Sequence, residues 1–447
     1  MVTSLPRVML AGTNSGCGKT TMVCAILQAL QNRGEAISSF KCGPDYIDPM
    51  FHNSVLGVRC RNLDLQLFDG NTLRYLLSSS EGTAILEGVM GYYDGVGVSA
   101  KASSYDVAKA AGAPAVLVVN ARGACHSILA VISGFLNLYL DSGIRGVLLN
   151  NCSPMLYPKL EGLILTHFSG QLQPLGFLPP LPECSLESRH LGLVTAAEIS
   201  DLQQKMRILA ENAEKYIHLD ALLALARSAP ELSWEPLSLP EAGETVRIAV
   251  ARDKAFCFYY EDNLRLLEQL GAELVPFSPL EDAALPEGIR GLYLGGGYPE
   301  LYPQQLSKNK TMRQSIRSAL ESGLPCIAEC GGFLYLQQTL LDAPMVGFFQ
   351  GGGFYTGHLV RFGYAELTAN EDSMLLKKGE TLNVHEFHYY DVDDPGDGFS
   401  AKKASGAQWH CAHVSDSLYA GFPHLHFYAR PDIPARFLNR CRKELPT

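Results

Sequence analysis

The stretch Gly12-Thr13-Asn14-Ser15-Gly16-Cys17-Gly18-Lys19-Thr20-Thr21 decides the fold of the first half of the chain. It follows the mostly apolar run Arg7–Ala11, which is typical of a buried strand, and apolar residues then recur with helical spacing over Thr20–Arg33. A glycine-rich turn between a strand and a helix is the setting in which backbone N–H groups surround phosphate oxygens. We therefore predict a phosphate-binding loop at one edge of a parallel α/β sheet.

The nucleotide contacts follow from the place of each residue in this loop. The sequence departs from the usual spacing G-x-x-x-x-G-K-[ST], because Thr13 stands where the first glycine belongs and Gly12 precedes it. Lys19 is predicted to reach the β- and γ-phosphates of ATP, and the Thr20 hydroxyl is predicted to bind Mg²⁺. A chance Gly-Lys-Thr in a turn is the alternative, and the flanking strand and helix argue against it. The residues predicted to contact ATP are Gly12, Thr13, Gly16, Gly18, Lys19, Thr20, Thr21 and Lys41.

Acidic side chains of this half are candidates for the metal and the substrate. Glu87 comes directly after the short predicted strand Ala84–Leu86, at a carboxyl end, where ligands of open α/β sheets bind. We predict that Glu87 holds Mg²⁺ together with Thr20, with Asp48 as a further ligand. Turn formation beside the neighbouring prolines is the alternative for the aspartates. The residues predicted to contact the substrate are Asp45, Tyr46 and Asp48.

The same strand–loop–helix rhythm recurs after a segment rich in proline and acidic residues. Val246–Ala251, Gly291–Leu294 and Pro325–Ala328 are its predicted strands. We predict an α/β fold with two domains, each built on a mainly parallel sheet flanked by helices. The predicted limits are residues 1–227 for the first domain, 228–245 for a linker and 246–447 for the second domain.

Composition and charge exclude several classes of function. The chain has 447 residues, which suggests two or three domains, and 47% of them are hydrophobic, enough to form buried cores. The formal net charge of −10 argues against a nucleic-acid partner, and no apolar run is long enough to span a bilayer. The N-terminus lacks a signal-peptide pattern. We therefore predict a cytoplasmic protein that binds small molecules, not nucleic acid or membrane, with a homodimer left open.

A second candidate site surrounds Cys330. The apolar strand Pro325–Ala328 leads into Glu329-Cys330-Gly331-Gly332, a pattern typical of a sharp strand-to-helix turn that exposes a nucleophile. We expect the N-terminus of the next helix to lower the pKa of the thiol. The N–H groups of Gly331 and of the earlier loop residues Gly296 and Gly297 are predicted to form an oxyanion hole. A small buried cysteine without chemistry is the alternative.

A nucleophilic cysteine needs a base, and histidine is the usual one. His424 and His426 lie near the C-terminus, and His385 and His388 lie upstream of them. We predict that His424 is the base because the cysteine requires a partner. The other three histidines stay open as alternatives.

These segments, in this order, resemble the cobyrinate a,c-diamide synthase family across nearly the whole chain. The first half is similar to dethiobiotin synthetase, and the second half is similar to class I glutamine amidotransferases of the cobalamin-pathway branch. The segments that carry the resemblance are Gly12–Thr20, Lys41–Pro49, Asn62–Asp64, Glu87–Gly91, Ser188–Leu193, Ala328–Gly332 and His385–His388.

The resemblance implies a reaction. Such enzymes amidate the a- and c-acetate side chains of the corrin cobyrinate in cobalamin biosynthesis, and they consume one ATP and one glutamine for each amide. Glutamine is hydrolysed at the cysteine, and a carboxyl phosphate receives the ammonia. The wider amidotransferase class has a His-x-Glu pair late in the chain, whereas this chain has His424-Leu425-His426. The resemblance therefore implies a cysteine–histidine dyad, and it leaves open which group orients His424.

Other readings of the sequence stay possible. A sister enzyme could act in the same way on hydrogenobyrinate or nickel-sirohydrochlorin. A P-loop switch ATPase with a non-catalytic second domain would have no glutaminase activity. A tetrapyrrole-binding module without catalysis would give Lys19 and Glu87 no task.

Overall fold

The structure is a computed structural model that describes residues 1–184 and 202–443. It contains two units, Met1–Leu237 and Ser238–Thr447. The boundary between them lies inside the segment 228–245 that the sequence suggests as a linker, and the predicted domain limits stay a prediction. The segment Ser188–Leu193, which contributes to the family resemblance, lies outside the described residues.

A seven-stranded parallel sheet forms the centre of the first unit. The strands of this unit are β1 (Val2–Thr3), β2 (Arg7–Gly12), β3 (Ile37–Cys42), β4 (Cys60–Leu63), β5 (Thr83–Gly91), β6 (Ala115–Asn120), β7 (Ile144–Asn150), β8 (Gln173–Leu178) and β9 (Leu232–Ser233). The order in the sheet is β4-β3-β5-β2-β6-β7-β8, and every neighbouring pair is parallel. This order brings the phosphate loop after β2 next to the carboxyl end of β5.

Helices cover this sheet because its strands are apolar on both faces. Three of them supply most of the helical residues of one buried cluster, which also contains side chains of β2, β5, β6, β7 and β8. These three helices are α1 (Lys19–Asn32), α7 (Leu202–Tyr216) and α8 (Leu219–Arg227). The others are α2 (Ile47–Phe51), which continues into a π-helical turn at His52–Leu56, α3 (Gly70–Ser78), α4 (Ser104–Ala111), α5 (Ile128–Asn137) and α6 (Tyr157–His167).

A short antiparallel pair joins the beginning of the chain to the proline-rich segment. Val2 pairs with Ser233 and Thr3 pairs with Leu232, so β1 and β9 form a two-stranded sheet. This pairing is not visible in the sequence, because a two-residue strand is too short to show a periodic pattern. Residues 228–237 therefore belong to the first unit.

The second unit also has a mainly parallel sheet. Its strands are β10 (Val246–Ala251), β12 (Ala272–Phe277), β13 (Gly291–Leu294), β15 (Cys326–Glu329), β22 (His413–Val414) and β23 (Leu418–Gly421). The order in the sheet is β12-β10-β13-β15-β23-β22, and of these neighbouring pairs only β22 with β23 is antiparallel. The short strands β11 (Phe256–Phe258) and β14 (Gly296–Gly297) form a separate antiparallel pair. The helices are α9 (Glu261–Gln269), α10 (Pro303–Lys308), α11 (Lys310–Glu321), α12 (Gly331–Leu336) and α13 (Asp432–Arg442).

A further, mostly antiparallel sheet of the second unit was not foreseen from the sequence. Its strands are β16 (Thr339–Leu340), β17 (Ala343–Pro344), β18 (Gly352–Ala369), β19 (Thr381–Val392), β20 (Phe399–Lys402) and β21 (Gln408–Cys411). The two longest strands, β18 and β19, pair with each other. The prediction of two α/β domains on mainly parallel sheets is confirmed, with this sheet as an addition.

Within residues 1–184 and 202–443, no helix combines the length and the apolar character that a bilayer-spanning helix needs.

Candidate active sites

The phosphate loop leaves β2 and enters α1 through two glycines with positive φ. Gly16 has a φ of 79° and Gly18 a φ of 93°, a region that favours glycine. A Cβ at Gly18 would lie 1.8 Å from Nδ2 of Asn150, so the loop has no room for a side chain there. The same amide of Asn150 donates a hydrogen bond to the carbonyl oxygen of Cys17 at 3.0 Å. The end of β7 therefore fixes the shape of the loop.

Lys19 and Thr20 open α1 and extend toward β5. Lys19 Nζ donates to the carbonyl oxygen of Met90 at 3.4 Å, and Thr20 Oγ1 donates to Oε1 of Glu87 at 2.8 Å. Burial, followed by repulsion from Lys41, lowers the pKa of Lys19. The two residues predicted to meet the phosphates and the metal thus lie beside the predicted metal carboxylate.

The other predicted nucleotide contacts have different surroundings. The backbone N–H of Thr13 donates to the carbonyl oxygen of Val118 at 3.3 Å, so it is engaged within the sheet. Gly12 packs closely on the loop, since a Cβ there would lie 2.3 Å from Sγ of Cys17. Gly16 is exposed, and Thr21 is half-buried in the first turn of α1.

Glu87 lies inside β5, so the prediction that it follows the end of a strand is wrong. The strand continues to Gly91 because it lies between β3 and β2, and its pairing with β2 extends to Gly12 opposite Gly91. In register, Glu87 stands between Leu10 of β2 and Lys41 of β3. Its side chain is 0% exposed. Glu87 is therefore a buried acid and not a solvated one.

Lys41, Asp48 and Glu87 form a buried ionic cluster. Lys41 Nζ lies 2.6 Å from Oδ2 of Asp48 and 3.0 Å from Oε1 of Glu87. Burial alone would lower the pKa of Lys41, but the carboxylates of Asp48 and Glu87 outweigh burial and raise it well above its usual value. The ammonium group is therefore charged and held by protein carboxylates. The predicted contact between Lys41 and ATP stays a prediction.

The segment predicted to meet the substrate lies at the start of α2. Oδ1 of Asp45 accepts a hydrogen bond from the backbone N–H of Ile47 at 2.8 Å, the kind of turn bond that the alternative reading expects. Burial and the neighbouring charge of Asp48 raise the pKa of Asp45 to about 7. Tyr46 is buried. The structure thus brings Asp45 and Asp48 together beside Lys41, and their contact with a substrate stays a prediction.

Cys330 lies at a strained turn between β15 and α12. Its φ is 48° and its ψ is −99°, a conformation that L-residues rarely adopt. The backbone N–H of Cys330 donates to the carbonyl oxygen of Gly421 in β23 at 2.8 Å. The N–H of Gly332 donates to the carbonyl oxygen of Gly295 at 3.0 Å. Strand β23 and the residue that follows β13 therefore hold the sharp turn that the sequence pattern predicts.

The pKa of the Cys330 thiol is raised, and the expectation that it is lowered is wrong. Burial is the main cause, and the nearby carboxylates of Glu300 and Glu386 add to it. A hydrogen bond from the N–H of Gly331 favours the thiolate but does not outweigh them. Since α12 has only 6 residues, its N-terminus is a weak source of positive potential. The thiol of the resting protein is therefore neutral and depends on a base.

The predicted oxyanion glycines lie together. A Cβ at Gly331 would lie 3.0 Å from the backbone N of Gly297, so these two glycines approach each other closely. A Cβ at Gly296 would lie 2.6 Å from Cε1 of His424. The loop Gly296-Gly297 thus touches both the residue after Cys330 and the predicted base.

His424 lies close to the residue that precedes Cys330. Its Nδ1 is 3.4 Å from Oε2 of Glu329, and both side chains are buried. The backbone N–H of His424 donates to the carbonyl oxygen of His385 at 2.9 Å, which ties the loop to β19. Glu329 and Gly421 are partners in β15 and β23, so the carboxyl ends of these strands bring the three residues Glu329, Cys330 and His424 to one edge of the sheet.

The other histidines have different tasks in the fold. Nδ1 of His426 accepts a hydrogen bond from the N–H of Tyr428 at 3.3 Å and caps a 3₁₀ turn. Both ring nitrogens of His388 are engaged, Nδ1 with the carbonyl oxygen of Tyr390 at 2.6 Å and Nε2 with Oε2 of Glu386 at 3.2 Å. Burial and then the charge of His424 lower the pKa of His385 to about 3. These surroundings favour His424 as the base.

Comparison with known proteins matches both halves of the chain. Residues 8–222 match the CobQ/CobB/MinD/ParA nucleotide binding domain, and residues 247–431 match the CobB/CobQ-like glutamine amidotransferase domain. A protein of Clostridium acetobutylicum named cobyrinate a,c-diamide synthase is 39% identical over 95% of this chain and 98% of its own length. A protein of the same name from Clostridium tetani is 38% identical over 95% of this chain and 97% of its own length.

The chain belongs to the cobyrinate a,c-diamide synthase family. The predicted family, with a nucleotide-binding part followed by a glutamine amidotransferase part, is thereby confirmed. Among solved structures, one titled "Structure of PurLQS from Thermotoga maritima" aligns at a TM-score of 0.34 with 17% identity, over 44% of this chain and 97% of that chain. A TM-score at this level carries no argument about function.

Three buried residues of this cobyrinate a,c-diamide synthase family member were missed by sequence reasoning. Asn150 fixes the phosphate loop and is the last residue of β7. His52 has Nδ1 3.0 Å from Oγ of Ser39 and Nε2 3.5 Å from Oε2 of Glu87, and nothing in the sequence indicates these contacts. Glu329 directly precedes Cys330, and no pattern in the sequence indicates its contact with His424.

The residues at the phosphate loop fit the Mg²⁺ that this family member is predicted to use with ATP. A hydroxyl from Thr20 and carboxylates from Glu87 and Asp48 are hard oxygen ligands, which Mg²⁺ prefers. Oε2 of Glu87 is buried and accepts no hydrogen bond from the described residues. Across residues 1–184 and 202–443, no cluster of three or more His, Cys, Asp or Glu side chains could hold a metal by itself. Mg²⁺ usually completes its coordination with water and substrate phosphates.

Proposed function

We propose that this chain uses ATP and glutamine to convert the a- and c-carboxylates of cobyrinate into amides in cobalamin biosynthesis. One observation carries the proposal. The same chain contains a phosphate loop whose Thr20 meets the buried Glu87, and a strained Cys330 whose neighbour Glu329 meets a histidine. The first arrangement suits phosphoryl transfer and the second suits glutamine hydrolysis.

The first unit is proposed to activate the carboxylate. A carboxylate oxygen of the substrate attacks the γ-phosphorus of ATP, and ADP leaves, so that a carboxyl phosphate forms. Lys19 offsets negative charge on the transferred group, and Thr20, Glu87 and Asp48 would hold Mg²⁺. When bound, the metal supplies further positive charge at the phosphate oxygens. Lys41 lies within ion-pair distance of both carboxylates and offsets part of their negative charge in this buried place.

The second unit is proposed to release ammonia from glutamine. His424 takes the proton of the Cys330 thiol, and the sulfur attacks the carboxamide carbon of glutamine. The N–H groups of Gly331, Gly296 and Gly297 are the proposed donors to the oxyanion that forms. His424 then returns the proton to the leaving ammonia, and water hydrolyses the thioester to glutamate.

The two half-reactions depend on each other. Ammonia attacks the carbonyl carbon of the carboxyl phosphate, phosphate leaves, and the amide remains. Free ammonia is mostly protonated at neutral pH, so it is a nucleophile only if water is kept away from it on its path. This requirement explains why one chain would carry both activities.

The substrate is proposed from the family and from the relatives that carry its name. At 39% identity over 95% of the chain, the protein from Clostridium acetobutylicum supports cobyrinate over the alternatives hydrogenobyrinate and nickel-sirohydrochlorin. Asp45, Tyr46 and Asp48 stay the proposed contacts of the substrate. Their position beside Lys41 and Glu87 supports the proposal that the reacting carboxylate of the substrate binds close to the phosphate loop.

The test compares the three tetrapyrroles directly. The protein is incubated with MgATP, glutamine and one tetrapyrrole, and mass spectrometry follows the products. We expect the mass change of two carboxylate-to-amide conversions with cobyrinate and much less conversion with the others. Glutamate release is measured in parallel with and without ATP. A P-loop switch ATPase and a binding module would both release no glutamate. Absence of glutamate release would therefore overturn the proposal.

A further inference from the structure

Glu329 stands directly before the proposed nucleophile and contacts the proposed base. It is the last residue of β15, and its side chain is 1% exposed. Its two carboxylate oxygens have different partners. Oε1 accepts hydrogen bonds from the backbone N–H of Leu425 and from the hydroxyl of Tyr293, both at 3.3 Å. Oε2 lies 3.4 Å from Nδ1 of His424.

We infer that Glu329 is the residue that positions His424 for glutamine hydrolysis. It replaces the glutamate of the usual His-x-Glu pair, whose place is taken by His426 in this chain. The carboxylate at 3.4 Å from Nδ1 favours the tautomer with the ring proton on that nitrogen, and in this tautomer the lone pair of Nε2 can accept the proton of Cys330. This inference rests on the proposed roles of Cys330 and His424.

Burial is the reason that His424 needs a carboxylate. When it accepts the thiol proton, the imidazole becomes a cation in a place where the side chain is 3% exposed. A buried charge without a partner is costly, and Glu329 is the carboxylate within ion-pair distance of the ring. His385, which pairs with His424 through the backbone, offers no negative charge in either protonation state, so it cannot balance the charge.

The fixed contacts of Glu329 explain why its orientation is defined. The donors Leu425 and Tyr293 both point to Oε1, which leaves Oε2 for His424. The proton of the thiol moves to Nε2 of His424 and later to the leaving ammonia. No proton passes to Glu329, whose role is to hold the ring and its charge.

Glu329→Gln tests the role with little change of shape. The same two donors would keep the amide oxygen at the Oε1 place and turn the amide NH₂ toward Nδ1 of His424. An NH₂ group donates to Nδ1, so the ring proton moves to Nε2 and His424 can no longer accept from the thiol. We expect the kcat of glutamine hydrolysis to fall between about 10-fold and about 10⁴-fold, the upper value being the cost of the corresponding change in a serine protease triad.

The measurements separate positioning from simple structural support. KM for glutamine should change less than about threefold, because the contact acts on the chemical step. In the double variant Glu329→Gln with His424→Ala, activity should be no lower than in His424→Ala alone, since Glu329 acts only through the histidine. Glu321→Gln is the matched control, because it makes the same chemical change at an exposed glutamate of α11 that pairs with Arg317. It should retain activity within about threefold of the unaltered chain.

The outcomes distinguish this inference from the proposed function. If Cys330→Ala and His424→Ala hydrolyse glutamine normally, the proposed function itself is wrong. If both are inactive while Glu329→Gln keeps its kcat, only the inference about Glu329 is overturned. A Glu321→Gln variant as impaired as Glu329→Gln, or a double variant far below His424→Ala, would also overturn it. Folding of each variant is checked by ammonia-dependent amide formation and by circular dichroism.

Discussion

Glu87 accepts a hydrogen bond from Thr20 of α1 and forms an ion pair with the buried Lys41. Replacing it with glutamine keeps the shape of the side chain and removes its charge beside Thr20 and Lys41. We expect phosphoryl transfer to fall by about 10²-fold or more, because a preorganised charge at the transferring group is lost. Glutamine hydrolysis at Cys330 should continue at its basal rate. ATP cleavage, glutamate release and amide formation are followed in one reaction.

Asp141→Asn is the control for Glu87→Gln. It replaces a carboxylate by an amide at an exposed aspartate that pairs with Lys109. Asp141 lies just before β7 begins, so it is at the sheet edge opposite the phosphate loop. Its phosphoryl transfer should match that of the unaltered chain. Normal amide formation by Glu87→Gln at saturating Mg²⁺ would remove Glu87 from the metal site and leave it a structural partner of Lys41.

At this scale, local context predicted some residues and could not predict others. The phosphate loop and Cys330 can be predicted from local sequence, because the residues next to them form the turn that each site needs. Asn150 and Glu329 act on residues far away in the chain or through a neighbouring strand, so their contacts exist only after folding. The error about the Cys330 pKa has the same origin, because burial and the carboxylates of Glu300 and Glu386 are tertiary effects.

Among the elements, the turn from β15 into α12 depends on close approach to β13. A Cβ at Gly332 would lie 2.2 Å from the carbonyl oxygen of Leu294, a backbone atom that cannot move aside cheaply. We expect Gly332→Ala to lower the free energy of unfolding of the second unit by about 1–3 kcal/mol or more. Glutamine hydrolysis should fall with it because the turn carries Cys330. Hydrogen exchange resolved by mass spectrometry assigns the change to β13, β15 and α12.

Gly162→Ala is the comparison for this change. Gly162 is exposed inside α6, and a Cβ there would meet nothing within 4 Å. The substitution should stabilise the helix by about 0.5–1 kcal/mol, because alanine loses less conformational entropy than glycine. Equal protection from exchange in β13 and β15 before and after Gly332→Ala would contradict the steric argument.

The buried strands were easier to predict from the sequence than the half-exposed strands. The strands of the parallel sheets are short and apolar on both faces, so β2, β6, β10 and β13 are visible in the sequence. The paired strands β18 and β19 are longer but half-exposed, and aromatic, polar and glycine residues interrupt any regular alternation. A sheet of this kind gains its stability from pairing between distant segments, which the sequence does not display.

For the whole molecule, the proposal divides the work between two units that can be disabled separately. Cys330→Ala should abolish amide formation from glutamine and leave formation from added ammonia largely intact. The reason is that activation of the carboxylate uses residues of Met1–Leu237, whereas Cys330 belongs to Ser238–Thr447. Product is measured with glutamine and with ammonium chloride as alternative nitrogen sources.

Lys19→Ala provides the reciprocal control. It should abolish amide formation from both nitrogen sources and leave basal glutamine hydrolysis unaffected. If Cys330→Ala lost synthesis from ammonia as completely as synthesis from glutamine, with its fold intact, the proposed division of work would be wrong. The order of motifs along the chain is sufficient to predict two units. The boundary at Leu237 and Ser238 was not predictable, because it depends on the pairing of β9 with the first strand.

The neutral, buried thiol of Cys330 has a consequence for how this chain withstands chemical damage. Oxidants and electrophiles attack the thiolate form, and access to the sulfur limits them further. Cys330 is 7% exposed and its pKa is raised, whereas Cys125 is exposed at the surface. Peroxide would therefore consume the exposed sulfur of Cys125 first, and the proposed nucleophile Cys330 would become vulnerable only when its thiolate forms during turnover.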